Sequence, residues 1–158
     1  SRVAVMDEGK LMQVATPDRI YEAPDSVYVA AFNGDVNIIE GRAHQVGDKV
    51  QVDWAERQPA LFAKTDKNLG LEQICYLAIR PEKVSISAER PSGANVFQGE
   101  VLDIAYLGNL STYHVKLPTG HVIKAQQANT RRISRRPFTW EDKVWVTWSE
   151  TAAVVLDR

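Results

Sequence analysis

The chain reads as a mainly β protein, with a small barrel or sandwich running from about residue 36 to the C-terminus. Two patterns and one absence predict it. Side chains alternate apolar and polar with a period of two in residues 49–54, 111–117 and 143–148. In the last of these, Val144, Val146 and Trp148 share one face, as a half-buried strand requires. Turn-forming clusters separate the runs, at Asp66-Lys67-Asn68-Leu69-Gly70, Arg90-Pro91-Ser92-Gly93 and Pro118-Thr119-Gly120. No long stretch carries the 3.6-residue period of a helix, and many short strands with regular turns argue for a closed or two-layered β architecture.

The first thirty residues have a different texture. Val3-Ala4-Val5-Met6 and Leu11-Met12-Gln13-Val14 flank Asp7-Glu8-Gly9-Lys10, which predicts a hairpin. Thr16-Pro17-Asp18 supplies an N-cap hydroxyl, a proline at the first helical position and an acid in the first turn. That helix must be short, because Pro24 ends it. Asp25-Ser26 can cap a second short helix through Val27, Ala30, Ala31 and Phe32, and Asn33-Gly34-Asp35 reads as a boundary. Beyond it, residues 50, 52 and 54 point one way, and apolar runs at 74–79, 84–86, 101–107 and 152–156 complete the series of strands.

Composition narrows the function classes. Of 158 residues, 44% are apolar and 25% charged, the balance of an ordinary folded domain. Nineteen basic and twenty acidic side chains leave a net charge of −1, with no general pull toward nucleic acid or an anionic membrane. The single Cys75 can form no internal disulfide, which fits a reducing compartment. No apolar run reaches the roughly 18 residues needed to cross a bilayer, and the N-terminus lacks a secretory pattern. A cytoplasmic location is the expectation.

Motifs for catalysis are missing. None of the nine glycines stands in a phosphate-cradling G-x-x-x-x-G-K-[S/T] spacing, and there is no Gly-x-Ser-x-Gly elbow. Of His44, His114 and His121, the last two flank the Pro118-Thr119-Gly120 turn. A tight turn there would set His114 opposite Lys124 rather than His121, and no acid completes a metal set. The basic run Arg131-Arg132-Ile133-Ser134-Arg135-Arg136 could grip phosphates beside Phe138. However, a nucleic-acid binder normally shows a broad basic face, so a solvated loop is the reading. The four tryptophans read as core or interface anchors.

The residues also carry a family resemblance. Ser1 to Lys10 resembles the closing strands of the ATPase domain in ABC importer ATP-binding subunits, written "D-R-[IV]-A-V-M-x-x-G". Residues 15–24 are similar to that family's "G-T-P-x-x-[IL]-Y-x-x-P", with Ala15 in place of the usual Gly, and Val29-Ala30-Ala31-Phe32-Asn33-Gly34 to its "V-A-x-F-[IV]-G", with Asn33 departing from the usual apolar residue. The β region resembles the transport-associated OB (TOBE) domain. Ala78-Ile79-Arg80-Pro81-Glu82-Lys83-Val84 matches its "[IL]-R-P-E-x-[IV]" element. Residues 99–115 match its central "G-x-V … Y-x-G … Y-x-V" stretch, and residues 142–156 its closing strands. Asn37 to Arg42, Tyr106-Leu107-Gly108 and the Trp-rich end look most like the polyamine importers.

The resemblance implies a remnant of the ATP-binding domain at 1–33 and a TOBE-type, OB-like β-barrel region at 34–158. The phosphate loop, signature motif, catalytic acid and switch histidine of the family all fall before the position matching Ser1. This chain is therefore expected to hold no catalytic, cofactor or metal residue, and to bind neither ATP nor magnesium, which the full-length subunit would hold. Implied partners are a second ATP-binding subunit, forming a homodimer, and membrane-spanning permease chains reached through the ATPase domain. The implied location is peripheral at the inner face of the cell membrane, and the implied cargo is putrescine or spermidine. The implied role is regulation and dimerisation. Loss of the ATPase core should expose the apolar faces of Val3, Val5, Leu11 and Val14, so that this N-terminal piece is expected to re-pack, a partner chain being one surface for it. If the barrel senses a small ligand, Arg80, Glu82 and Asn109 are the candidate contacts, against the plainer reading of a strand-end ion pair and a turn. The remaining alternative is a stand-alone OB-like nucleic-acid binder using residues 131–136.

Overall fold

A computed structural model describes residues 1–129 and 138–158. The basic run at 131–136 lies outside the described residues. The strands are β1 (Val3–Asp7), β2 (Lys10–Ala15), β3 (Asn37–Val46), β4 (Lys49–Asp53), β5 (Leu61–Lys64), β6 (Ile74–Ile79), β7 (Ser85–Ser87), β8 (Asn95–Leu107), β9 (Leu110–Lys116), β10 (Val122–Ala128), β11 (Lys143–Trp148) and β12 (Val154–Leu156). Two short helices, α1 (Pro17–Glu22) and α2 (Val27–Phe32), follow β2. The fold is mainly β and OB-like.

Two compact units are present: residues 1–79 with 153–158, and residues 80–152. In the first, β1 and β2 pair as the expected hairpin. Glu8 and Gly9 both have positive φ, 47° and 79°, the twist-matching turn that two-residue hairpins favour. The Thr16 hydroxyl caps α1 by accepting from the Arg19 N–H at 3.4 Å, and the Ser26 hydroxyl caps α2 by accepting from the Val29 N–H at 3.2 Å. Val5, Ala15, Ile20 and Val29 form a small core, with Met12 packed against it. This corrects one expectation. Val3, Leu11 and Val14 are exposed, but Val5 is fully buried, because α1 and α2 fold back to cover its face of the hairpin. Ala30 packs with Ala78 and Leu156.

The rest of the first unit is an antiparallel sheet in the order β12-β6-β3-β4-β5. The second unit is an antiparallel sheet in the order β10-β9-β8-β11-β7. Val50, Val52, Val144, Val146 and Trp148 are buried, as their alternation predicts. In β8, the register shifts between Val101 and Asp103, which puts Leu102 in a bulge, exposed. Bulges of this kind sharpen the local twist and re-aim side chains.

The two sheets follow one plan. In each, a long central strand (β3 or β8) turns back through a two-residue loop that begins with glycine. Gly47 has φ 62° and Gly108 φ 64°, a conformation for which glycine carries no steric cost. Each central strand also has a buried glycine four residues after a buried asparagine, Asn37 to Gly41 and Asn95 to Gly99. A Cβ on Gly41 would lie 2.7 Å from the Asp53 carbonyl oxygen. One on Gly99 would lie 2.7 Å from the Lys116 carbonyl oxygen. Only glycine admits this approach of neighbouring backbones. The final strand of each sheet is contributed by chain arriving from the other unit: β7 follows β6 but pairs with β11, and β12 follows β11 but pairs with β6.

Candidate functional site

Of the three sequence-derived contacts, Arg80 and Glu82 share one element. Arg80 is the residue before a 3₁₀ turn, Pro81–Lys83, and its carbonyl accepts from the Lys83 N–H at 2.9 Å. Proline at the first position of the turn suits its fixed φ. Arg80 is only 5% exposed, whereas Glu82 is exposed. Asn109 is the second residue of the β8–β9 loop, exposed, and its carbonyl accepts from the Asn129 N–H at 2.6 Å. The Asn129 side chain closes the same tip, donating to the Gly108 carbonyl at 3.2 Å and accepting from the Ser111 hydroxyl at 2.7 Å. Asn109 thus stands in a well-tied turn.

His114 and His121 are not register partners. His114 pairs with Lys124 across β9 and β10, as a tight turn requires, and His121 Nδ1 shares a 2.8 Å hydrogen bond with the Thr119 hydroxyl. His44 Nε2 lies 3.0 Å from an Asp53 carboxylate oxygen, both partly exposed, a setting in which ion pairs contribute little. Among the described residues, no three His, Cys, Asp or Glu side chains converge as a metal set. Burial holds the Cys75 thiol above its ordinary value of 9.0. Phe138 is buried, edge-on to Tyr113 with ring centroids 5.5 Å apart, so it serves the core and not a base-stacking surface.

Sequence reasoning missed an open pocket of about 480 Å³ on the second unit. Gln98, Glu100, Lys116 and Lys143 supply its polar groups, and Leu102, Leu117 and Pro118 its apolar ones. Register places Glu100 between the two lysines, paired with Lys143 on one side and Lys116 on the other. Adjacent strands lie about 4.8 Å apart, so the Glu100 backbone position stands between those of two lysines at cross-strand distance. The outward alternation of Gln98 and Glu100 is visible in the sequence. Their alignment with Lys116 and Lys143 depends on pairing over a distance and is not. Ammonium, carboxylate and amide groups beside apolar side chains suit reversible contact. The lining holds no Ser, Thr, Cys or His side chain.

Residues 77–156 match the TOBE domain model. The chain is 38% identical over 157 residues to the putrescine transport ATP-binding protein PotG of Escherichia coli strain K12, a match covering 98% of this chain and 42% of that protein. It is 33% identical over 162 residues to the spermidine/putrescine import ATP-binding protein PotA of Protochlamydia amoebophila, covering 99% of this chain and 43% of the relative. The chain thus spans less than half the length of these relatives. Among solved structures, the cytoplasmic molybdate-binding protein ModG with molybdate bound superposes with a TM-score of 0.63 at 13% identity, over 75% of this chain and 94% of ModG. That likeness concerns the fold alone. With half its length matched by the domain model and nearly all of it similar to polyamine-import ATP-binding proteins, the chain belongs to the TOBE domain family.

Proposed function

We propose that this chain is the C-terminal regulatory and dimerisation part of the ATP-binding subunit of an ABC importer, with putrescine or spermidine as cargo. One observation carries the reading: the similarity to PotG extends over 98% of the chain, hairpin and helices included, and not over the β region alone. On this reading residues 1–33 close the ATPase domain and residues 34–158 form the regulatory region. ATP and magnesium are bound by the longer subunit, and this part performs no catalysis. Two subunits pair beneath permease chains at the cytoplasmic face of the membrane. A contact between regulatory regions that differs in energy between the open and closed dimer would shift the ATPase equilibrium by that difference.

Calorimetry with magnesium-ATP, on this chain and on the longer gene product, tests the reading. Saturable binding by the longer product alone is the expected result. Binding by neither would return the chain to the status of an independent β domain, and turnover by the 158-residue chain would overturn the claim that it lacks catalysis. Arg80, Glu82 and Asn109 remain the proposed contacts for a small effector, with the OB-like fold shared with ModG as support. An Asn109→Ala variant that titrates effectors identically to the parent would remove Asn109 from that set.

A further inference from the structure

The chain passes from the first unit to the second after Ile79 and returns after Ala152, and a buried asparagine bonds the last residue of the strand that precedes each passage. At the first, the buried Asn37 donates its side-chain amide to the carbonyl of Ile79, its register partner, at 3.1 Å. At the second, the buried Asn95 donates to the carbonyl of Trp148, also its register partner, at 3.2 Å. Ile79 and Trp148 are the last residues of β6 and β11. Both are followed by a five-residue connector, 80–84 and 149–153, that carries the chain into the strand completing the other unit. The connectors open alike. The Lys83 N–H reaches the Arg80 carbonyl at 2.9 Å, and the Ala152 N–H reaches the Ser149 carbonyl at 3.1 Å. They also end alike, on the buried Val84 and Ala153. At the second crossing the Thr147 hydroxyl adds a bond to the Asn95 carbonyl at 2.6 Å.

A strand delivered from elsewhere can come from the same chain or from a second copy. The choice depends on the effective concentration of the chain's own strand against the concentration of copies. Anchoring the residue at which a short connector starts limits the directions its strand explores, which raises the first quantity. Exchange of identical elements between protomers is a low-cost route to dimers, and changes at hinges promote it. We propose that Asn37 and Asn95 are exit latches: they position the ends of β6 and β11 so that β7 and β12 complete units of their own chain, and their loss opens exchange of these strands with a second copy.

The experiment uses the full chain in a Cys75→Ala background with Ala78→Cys and Val154→Cys. These two are cross-strand partners of β6 and β12. Register partners stand about 4.5–5.5 Å apart at Cα, within disulfide range. After refolding at high concentration and oxidation, a non-reducing gel tells whether β12 paired with its own β6 or with that of another chain. With the latches intact, the link forms within one chain. With Asn95→Leu the between-chain fraction is expected to rise about fivefold, the equilibrium weight of one buried hydrogen bond. Asn37→Leu, which frees β7, is expected to do the same when read through Ile86→Cys with Val146→Cys, cross-strand partners of β7 and β11, and the double variant carries both changes. Leucine keeps the branched outline of asparagine and removes its polar groups, and the single variants keep the test open if the double variant fails to fold. Gln45→Ala is the control, since it removes side-chain bonds to Lys67 and Leu69 away from either crossing. A between-chain fraction equal to that of the parent, or of Gln45→Ala at matched stability, would overturn the proposal. So would a parent that already links between chains.

Discussion

The indole ring of Trp148 stacks on Phe97, with centroids 5.5 Å apart and planes inclined by 22°. Its N–H is buried with no hydrogen-bond partner among the described residues. An unsatisfied buried donor costs about 1–3 kcal/mol, while the ring contributes through burial and stacking. Trp148→Phe keeps the stack and removes the orphan. Its stability in urea should stay within about 1 kcal/mol of the parent, whereas Trp148→Ala should lose about 3–5 kcal/mol. Equal losses for both would mean that the indole N–H is satisfied in solution.

Glycine substitutions should separate by mechanism. Gly99→Ala drives a methyl toward the Val115 side chain and the Lys116 carbonyl, at 2.6 and 2.7 Å, and should cost about 1–3 kcal/mol through overpacking. Gly108 faces open space at φ 64°, so Gly108→Ala should cost only about 1 kcal/mol of backbone strain. Thermal melts of the two variants decide this, and Gly99→Ala should be the lower.

The helix caps rank by burial and geometry. Ser26 is buried and its hydroxyl accepts at 3.2 Å, while Thr16 is exposed with a 3.4 Å contact. Ser26→Ala is expected to cost about 1–2 kcal/mol and Thr16→Ala about 0.5 kcal/mol. The reverse order in chemical denaturation would show that burial does not set the value of these caps.

Removing residues 153–158 takes away β12, which belongs to the first unit although it follows β11 of the second. Amide exchange should therefore accelerate at β6, whose partner strand is lost, before it accelerates at β11. Faster exchange at β11 first would contradict the strand pairing.

The Cys75 thiol, raised by burial, ionises more readily in the unfolded chain than in the folded one. Its contribution is fully present below the ordinary thiol value of 9.0 and is lost as pH rises toward the raised folded value. Stability should therefore fall as pH rises above about 9, and Cys75→Ala should flatten that fall. Ellman's reagent should label Cys75 only as the chain unfolds.

Local chemistry was largely legible in the residues. The Glu8-Gly9 turn, the Thr16-Pro17 and Ser26 helix starts, and the buried faces of β4 and β11 follow from capping, φ preference and period-two alternation, which act over a few residues. The placing of His114 opposite Lys124 followed from turn length in the same way. Burial of Val5 did not, because it depends on where two helices settle after their own short-range signals are spent. The candidate contacts divide similarly. Arg80 and Glu82 were recognisable from the Ile79-Arg80-Pro81-Glu82 element, but the flanking of Glu100 by Lys116 and Lys143 exists only once three strands come into register.

The sequence by itself determined the class of fold, the family and the local elements, since each is written in contiguous residues. Only the tertiary structure decided which strand completes which sheet. Every strand here offers its neighbours similar backbone hydrogen bonds, and alternation states which face is buried but not against whom. That choice rests on non-local groups such as the Asn37 amide at the Ile79 carbonyl and the Asn95 amide at the Trp148 carbonyl, which meet only across tens of residues of intervening chain.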